Sequence, residues 1–218
     1  MSVGKEIALL FAVLFLPGMI AQGGRVDPRA FENILYHVQL LVTAVPQVLL
    51  VVAVSNLRRP GSAGRFGWNR PGTRDLFVAL AGLAAVWVAA ALVSLVAGAV
   101  AGGAENVGPA VEWTFERPEL LPLLVISTLA IGYREEIFYR AYLADRAAEA
   151  DLHPRVVLAA GALVFATGHL YQGVAGFVMA LAIGIVLGEV YLRTKSLHGI
   201  AVAHGVYNFL VLVSSTSA

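Results

Sequence analysis

The sequence predicts an all-α fold, a polytopic membrane helical bundle of about seven transmembrane helices. Of its 218 residues, 59% are apolar and 13% are charged, and the mean hydropathy is +0.78. Soluble domains carry roughly 25% charged residues, so these few charges cannot cover a water-exposed surface of this size. The charges also divide the chain into apolar stretches of about 20 residues, the length that crosses a bilayer as a helix.

The predicted spans are described in chain order, and charged residues lie between them. The first begins after Lys5 and could be mistaken for a signal peptide, but Met19 stands where a small cleavage-site residue is expected, so we interpret it as a span. The fourth is apolar only to Ile131, although a helical pattern continues to about Ala150. The seven predicted spans are 7–22, 33–54, 76–101, 119–150, 155–171, 174–192 and 197–213.

The basic residues predict the orientation, because Lys and Arg are retained on the cytoplasmic side of a membrane. An N-in and C-out arrangement requires no exception to this rule. The predicted inner residues are Lys5, Arg58, Arg59, Arg65, Arg70, Arg74, Arg134, Arg140, Arg146, Arg155, Arg193 and Lys195, and the outer ones are Arg25, Arg29 and Arg117. Arg134 and Arg140 support the orientation least, because they lie within the fourth predicted span.

The predicted domain organisation is a single integral membrane domain over residues 1–218. Residues 55–75 form the one long hydrophilic connection, which we interpret as a cytoplasmic basic loop with Trp68 as a membrane-interface anchor. The chain has no cysteine, which excludes disulfides, thiol catalysis and cysteine-bound zinc. A net charge of +1 gives no case for a nucleic-acid partner.

Ionisable residues within predicted spans are costly and indicate function. In the fourth span, Glu136 and Arg140 are four residues apart and share a helix face, whereas Glu135 is turned about 100° away. Arg140 can therefore neutralise Glu136 but not Glu135. A carboxylate held beside a second carboxylate in a low dielectric can act as a general base. The alternative is a structural carboxylate cluster tied to Arg134 and Arg140.

Two later spans carry polar residues at a similar predicted depth. Phe165 and His169 are an i,i+4 pair, and so are His204 and Asn208, so each pair faces one direction. At about 1.5 Å per residue, Glu135, His169 and His204 all fall near the middle of the bilayer. His204 and Asn208 can therefore direct hydrogen-bond donors at one point, as an oxyanion pocket requires. Singly, each such residue is more often a contact between helices.

These residues resemble the three-motif signature of the CPBP family, the CAAX protease and bacteriocin-processing family of intramembrane glutamic endopeptidases. The motifs are Glu135-Glu136-x-x-x-Arg140, Phe165-x-x-x-His169 and His204-x-x-x-Asn208. The three in order on separate spans are specific, and the resemblance covers about residues 119–213, the predicted protease core. Residues 1–118 carry no motif, and we expect them to shape substrate entry.

The resemblance implies peptide-bond hydrolysis by activated water at a site without a metal or other cofactor. It makes Glu135 the general base, His169 its partner, and His204 with Asn208 the oxyanion pocket. Glu136, Arg140 and Phe165 would support the motif, while Arg134 has no place in it. The implied substrate is a membrane-embedded or lipidated protein or peptide. The short loops and the high content of Ala, Val, Gly and Arg suggest a multi-pass protein of the prokaryotic plasma membrane.

Two alternatives use the same polar residues. Two histidines and a glutamate are also a familiar catalytic zinc set, although no HExxH motif is present. The protein could instead be a non-proteolytic membrane scaffold or immunity factor whose polar cluster binds a partner. A transporter is disfavoured, because no repeated halves or paired broken helices are visible in the sequence.

Overall fold

A computed structural model describes residues 2–21, 27–100 and 113–214, and within these ranges the chain is helical and has no β-strand. The all-α fold class is confirmed. Arg25 and residue 101, the end of the third predicted span, lie outside the described residues. The helices are α1 (Val3–Leu14), α2 (Leu16–Ala21), α3 (Ile34–Arg58), α4 (Ser62–Arg65), α5 (Thr73–Val100), α6 (Leu121–Glu136), α7 (Leu143–Glu149), α8 (Pro154–Thr167), α9 (Gly173–Thr194) and α10 (Leu197–Ser214).

Four helical segments in the described ranges are long and apolar enough to cross a membrane, by length and composition. They are α3, α5, α9 with the turn before it, and α10. The first two helices are interrupted at Phe15, and the 14 residues of α8 extend only about 21 Å. A π-helical turn, Ile137–Tyr142, joins α6 to α7. The protein is thus an integral membrane protein, while the count of seven spans stays a prediction.

Local chemistry explains where several helices begin and end. The Asn33 side chain accepts a hydrogen bond of 2.9 Å from the Leu35 backbone N–H at the start of α3, as N-cap residues do. Pro154 opens α8, where its missing N–H costs nothing. Lys195 ends α9 in the left-handed conformation, with φ of 52°. Short connections therefore set α8, α9 and α10 side by side.

Small residues bring neighbouring helices close together. The last helix, α10, packs against α5 and α6, and α8 packs against α9. A Cβ atom at Gly184 of α9 would lie 3.0 Å from the Cβ of Ala162 on α8, and one at Gly188 would lie 3.8 Å from Leu158. Glycines at this spacing allow the backbones of two helices to approach.

A buried ionic network ties α1 to one end of the bundle. The Glu6 carboxylate accepts a 2.7 Å hydrogen bond from the Tyr142 hydroxyl and pairs with Arg58 at 2.6 Å and Arg146 at 3.4 Å. Both arginines also pair with Glu149. Residues from α1, α3 and α7 therefore meet at this end of the molecule.

The opposite end carries a second, exposed set of polar contacts. Arg29 lies 3.8 Å from Glu116, and the Glu116 backbone N–H donates a 2.7 Å hydrogen bond to Glu32. Arg117 donates to the Glu32 backbone oxygen at 3.0 Å. The segment before α6 is therefore held beside the segment before α3.

The predicted basic loop folds back onto the helices. Phe66 is fully buried, and its backbone oxygen accepts a 3.3 Å hydrogen bond from the Tyr191 hydroxyl. Trp68, interpreted from the sequence as an interface anchor, packs its ring 6.2 Å from Tyr133 and 5.7 Å from His198. The loop thus has protein contacts that the sequence does not reveal.

Candidate active site

The crossing of α6 and α10 places the first and third motifs next to each other. A Cβ atom at Gly132 would lie 2.6 Å from the Ala201 backbone oxygen, and one at Gly205 would lie 2.8 Å from the Leu129 Cα. Only glycine allows the two backbones to approach this closely. Glu135 lies three residues after Gly132, and His204 lies directly before Gly205. The crossing of α6 and α10 therefore positions both side chains.

We expect Gly132→Ala to destabilise the protein by about 1–3 kcal/mol, because the added methyl group forces the two backbones apart. Gly98→Ala is the matched control, since a Cβ atom there would have no neighbour within 4 Å. The control should be neutral or stabilising by up to about 1 kcal/mol, because alanine favours helix. Thermal unfolding in detergent measures both, and equal midpoints for the two variants would contradict the role of this crossing.

Glu136 is fully buried between Arg140 and His204. Its Oε1 atom lies 3.1 Å from Nη1 of Arg140 and 2.7 Å from Nδ1 of His204. The predicted pair of Glu136 and Arg140 is therefore confirmed as an ion pair. The guanidinium of Arg140 also lies 4.9 Å from the centre of the Phe165 ring, a favourable cation–π contact.

Glu135 reaches the other nitrogen of the same imidazole. Its Oε2 atom lies 3.7 Å from Nε2 of His204, slightly too far for a hydrogen bond. The Glu135 side chain is 13% exposed, whereas that of Glu136 is not exposed at all. Since Arg140 pairs with Glu136, Glu135 is the more accessible and less neutralised of the two carboxylates.

The second motif adjoins this cluster through Phe165. The Phe165 ring lies 4.6 Å from the His169 ring and 5.9 Å from the His204 ring. The sequence places His169 within a helix over residues 155–171, but α8 ends at Thr167 and His169 occupies the turn before α9. Gly168 and Gly173 flank this turn, and Gly173 has a φ of 78°, which favours glycine.

The hydrogen bond of His169 fixes one ring nitrogen. Nδ1 lies 3.1 Å from the Phe165 backbone oxygen, which can only accept, so Nδ1–H donates. In the neutral imidazole, Nε2 then carries a lone pair. His169 can therefore accept a hydrogen bond from a water molecule.

Asn208 lies one turn beyond His204 on α10 and is partly buried. In the part of the chain that the structure describes, its side chain makes no hydrogen bond or ion pair. An amide N–H on the helix face shared with His204 is thus free to donate to a ligand.

Phe15, between α1 and α2, lies on one side of the cluster of motif residues. The sequence does not predict this contact. The Phe15 ring lies 4.7 Å from the Tyr139 ring, and Tyr139 lies 5.3 Å from Phe165. The guanidinium of Arg134 lies 4.9 Å from the centre of the Phe15 ring. Phe15 is one apolar residue among many in its span, so only the folded structure identifies it as a neighbour of the motifs.

The described residues contain no group of three or more His, Asp or Glu side chains arranged to hold a metal ion. The cluster is instead a set of two carboxylates and two imidazoles around an aromatic side chain. One carboxylate is paired with a cation and the other is not. In such a set, the unpaired carboxylate can accept a proton and an imidazole N–H can donate a hydrogen bond.

A comparison with protein families finds a family to which this region is similar. Residues 117–210 match the family described as type II CAAX prenyl endopeptidase Rce1-like. This segment is similar to that endopeptidase family. The match covers less than half of the chain and includes all three motifs. In comparisons with curated proteins and with solved structures, none matched the chain.

The matched segment runs from the turn before α6 into α10 as far as residue 210. It therefore contains Glu135, His169, His204 and Asn208, and the family recognised in the sequence is confirmed. The segment also contains the π-helical turn directly after Glu136. Such turns are frequent at functional sites, where they locally widen a helix.

Proposed function

We propose that the chain is an intramembrane endopeptidase of the glutamic type. The observation that carries this proposal is the convergence of three helical segments: Glu135 from α6 lies 3.7 Å from His204 of α10, and Phe165 packs between His204 and His169. The family match supports protease activity.

In the proposed mechanism, Glu135 and His169 hold a water molecule. The water oxygen attacks the carbonyl carbon of the scissile peptide bond while Glu135 accepts a proton from that water. The same proton then passes to the leaving nitrogen, so the carboxylate is regenerated without a covalent intermediate. His169 accepts the second hydrogen bond of the water through Nε2, while its Nδ1–H is held by the Phe165 carbonyl.

His204 and Asn208 stabilise the oxyanion in this proposal. Nδ1 of His204 is bonded to Glu136 at 2.7 Å, which orients the ring and directs Nε2 toward Glu135. In its protonated form the ring donates from both nitrogens, so Nε2–H can bind the developing negative charge. The Asn208 amide supplies a second donor from the same helix face. Glu136 and Arg140 are positioning residues, since neither needs to touch the substrate.

The proposed substrate is a membrane-embedded or lipidated protein or peptide, cut within the membrane of a prokaryotic cell. The family description names a CAAX prenyl endopeptidase, and a prenyl chain on a substrate would enter the bilayer with the peptide. Membrane peptidomics of cells carrying wild type or Glu135→Gln tests the activity directly. We expect an uncleaved precursor to accumulate in the variant. Identical peptide profiles, with both proteins present at equal levels, would favour a scaffold or immunity factor.

A zinc-dependent version of the site makes a different prediction. It requires that activity falls on chelation and returns with added zinc, whereas the proposed mechanism predicts unchanged activity after chelation. Metal analysis of the purified protein should accompany this assay, because chelators can miss a tightly bound ion.

We further propose a single membrane domain over residues 1–218 with seven spans, N-in and C-out, and a cytoplasmic loop at 55–75. The two polar ends support this topology: Glu6, Arg58 and Glu149 meet at one end, and Glu32 and Glu116 meet at the other. A helix that runs from α6 through the π-helical turn to α7 is also long enough to span.

The absence of native cysteine allows the topology to be tested by labelling of single introduced cysteines. Gly72→Cys and Glu116→Cys change exposed positions at opposite ends of the bundle. In intact cells, we expect a membrane-impermeant thiol reagent to label position 116 but not position 72. Equal labelling at both positions before cell lysis would contradict the proposed orientation.

A further inference from the structure

A groove runs between α5 and α9 at the end of the bundle where the basic loop lies. It has a volume of about 440 Å³, within the range of small-ligand sites. Its lining residues extend from Thr73 to Ala81 on α5 and from Val190 to Thr194 on α9, which corresponds to about 12 Å and 6 Å of helix. None of the motif residues lines the groove, so it is separate from the candidate active site.

The wall of the groove is apolar and open to lipid. Phe77 is 70% exposed, and Ala81, one helical turn further along α5, is also exposed. Val190 lines the opposite side from α9. Because α5 is long and apolar enough to cross a membrane, these side chains meet the acyl chains of the bilayer. A hydrocarbon chain within such a groove makes more van der Waals contacts than it makes on a flat helix surface.

Cationic side chains lie at the polar end of the groove. Arg74 lines it, and its Nη2 atom donates a 2.6 Å hydrogen bond to the Thr194 backbone oxygen at the end of α9. Within the described residues the guanidinium makes no other hydrogen bond, so its remaining N–H groups are available to an anion. Lys195 directly follows Thr194 and is exposed. Two cations therefore lie at the same end of the groove.

The carboxylates near this end have other partners. Asp75 accepts a hydrogen bond from the Ser196 hydroxyl. Glu189 pairs with both Arg155 and Arg193. Neither carboxylate lines the groove, so the charge presented to a ligand there is positive.

We propose that this groove binds one anionic phospholipid, with an acyl chain along Phe77 and Ala81 and the phosphate at Arg74. Basic pockets between transmembrane helices on the cytoplasmic side select anionic headgroups, and this is the proposed cytoplasmic end. An apolar groove without a cation would hold any lipid, and a surface cation without a groove would attract headgroups only diffusely. The combination of the two therefore gives both a defined site and selectivity for charge.

The bound lipid would also act on the contact between α5 and the turn that leads into α10. The hydrogen bond from Arg74 to Thr194 and that from Ser196 to Asp75 both join the start of α5 to this turn. A phosphate held at Arg74 would therefore stabilise the junction at which α10 begins. Lipid binding in this groove does not depend on the proposed catalysis.

The test is native mass spectrometry of the full chain in detergent, with equal amounts of dioleoyl phosphatidylglycerol and dioleoyl phosphatidylcholine. The occupancy of one tightly bound lipid is measured. We expect phosphatidylglycerol to bind about ten-fold or more tightly than phosphatidylcholine. Arg74→Gln should reduce this preference about five-fold, the effect of one cation near a membrane surface, whereas Arg74→Lys should retain most of it.

Ala81→Phe separates the groove from the charge, because the larger side chain fills the apolar wall while both cations remain. Phosphatidylglycerol occupancy should fall several-fold at an unchanged unfolding midpoint. Glycerol 3-phosphate, which carries the phosphate without acyl chains, should not displace the lipid when present at the same concentration. Displacement would indicate a site for free phosphate esters instead.

Arg59→Gln is the matched control, since it removes one exposed cation from the same end of the bundle. Arg59 directly follows α3, which packs against α6 rather than along the groove, so the preference should stay unchanged. Equal binding of the two lipids or an unchanged preference in Arg74→Gln would overturn the proposal. Unchanged occupancy in Ala81→Phe, or an equal loss of preference in Arg59→Gln, would show diffuse attraction of headgroups and would overturn it as well.

Discussion

Glu135→Gln is expected to reduce the rate of peptide hydrolysis by roughly a thousand-fold, within the range for loss of a general base. Glutamine keeps the shape of the side chain, but its amide cannot accept the proton of the attacking water. The only ion-pair contact of Glu135 in the described residues is the 3.7 Å approach to His204. The folded state should therefore lose little stability, and kcat should fall more than KM rises.

Glu119→Gln makes the same chemical change at a distance from the motifs. Glu119 is exposed and pairs with Arg117 at 2.8 Å, so its loss should leave both activity and unfolding temperature unchanged. Initial rates on a cleaved peptide, with the unfolding midpoint of each purified variant, provide the measurement. If Glu135→Gln turned over substrate at the wild-type rate, Glu135 would not be the general base.

Glu136→Ala should destabilise the protein by about 3–5 kcal/mol, the cost of removing one partner of a buried ion pair. The substitution leaves the Arg140 guanidinium buried without an anion and releases Nδ1 of His204. Activity should also fall, because the His204 ring loses the contact that orients it. The measurements are thermal or denaturant-induced unfolding in detergent and the initial rate.

Glu189→Ala removes the equivalent member of an exposed i,i+4 pair. Glu189 lies 2.7 Å from Arg193 and 3.1 Å from Arg155, and such surface contacts contribute about 0–1 kcal/mol. A small shift in this control beside a large shift in Glu136→Ala would identify burial as the cause. Comparable shifts would contradict the structural role of the Glu136 pair.

Much of the fold is predictable from the sequence because lipid constrains composition strongly. Apolar length locates the four helical segments that are long enough to cross a membrane. Four-residue spacing predicts that Glu136 pairs with Arg140, which the structure confirms. The convergence of Phe165 with His169 and His204 agrees with the three-motif order. Helix length and the spacing of Glu136 and Arg140 depend on periodicity, which is a local property of the chain, whereas the contact of Phe165 with His204 is not local.

Other features depend on contacts between distant segments and could not be predicted. The sequence separates Glu135 from Glu136 by about 100° around the helix, yet one imidazole reaches both because its two nitrogens face different directions. The position of His169 in a turn depends on where α8 ends. The burial of Phe66 within a basic loop likewise follows from tertiary packing alone.

The contact of α6 with α10 at Gly132 and Gly205 also bears on how the enzyme tolerates different bilayers. Helices respond to a thicker or thinner membrane by changing their tilt. At this crossing the backbones of α6 and α10 are in direct contact, with no side chain between them. A change of tilt would therefore rotate the two helices about this contact. The spacing between Glu135 and His204, which lie next to the pivot, would change least. Hydrophobic mismatch would then move the ends of the bundle more than the residues of the candidate site.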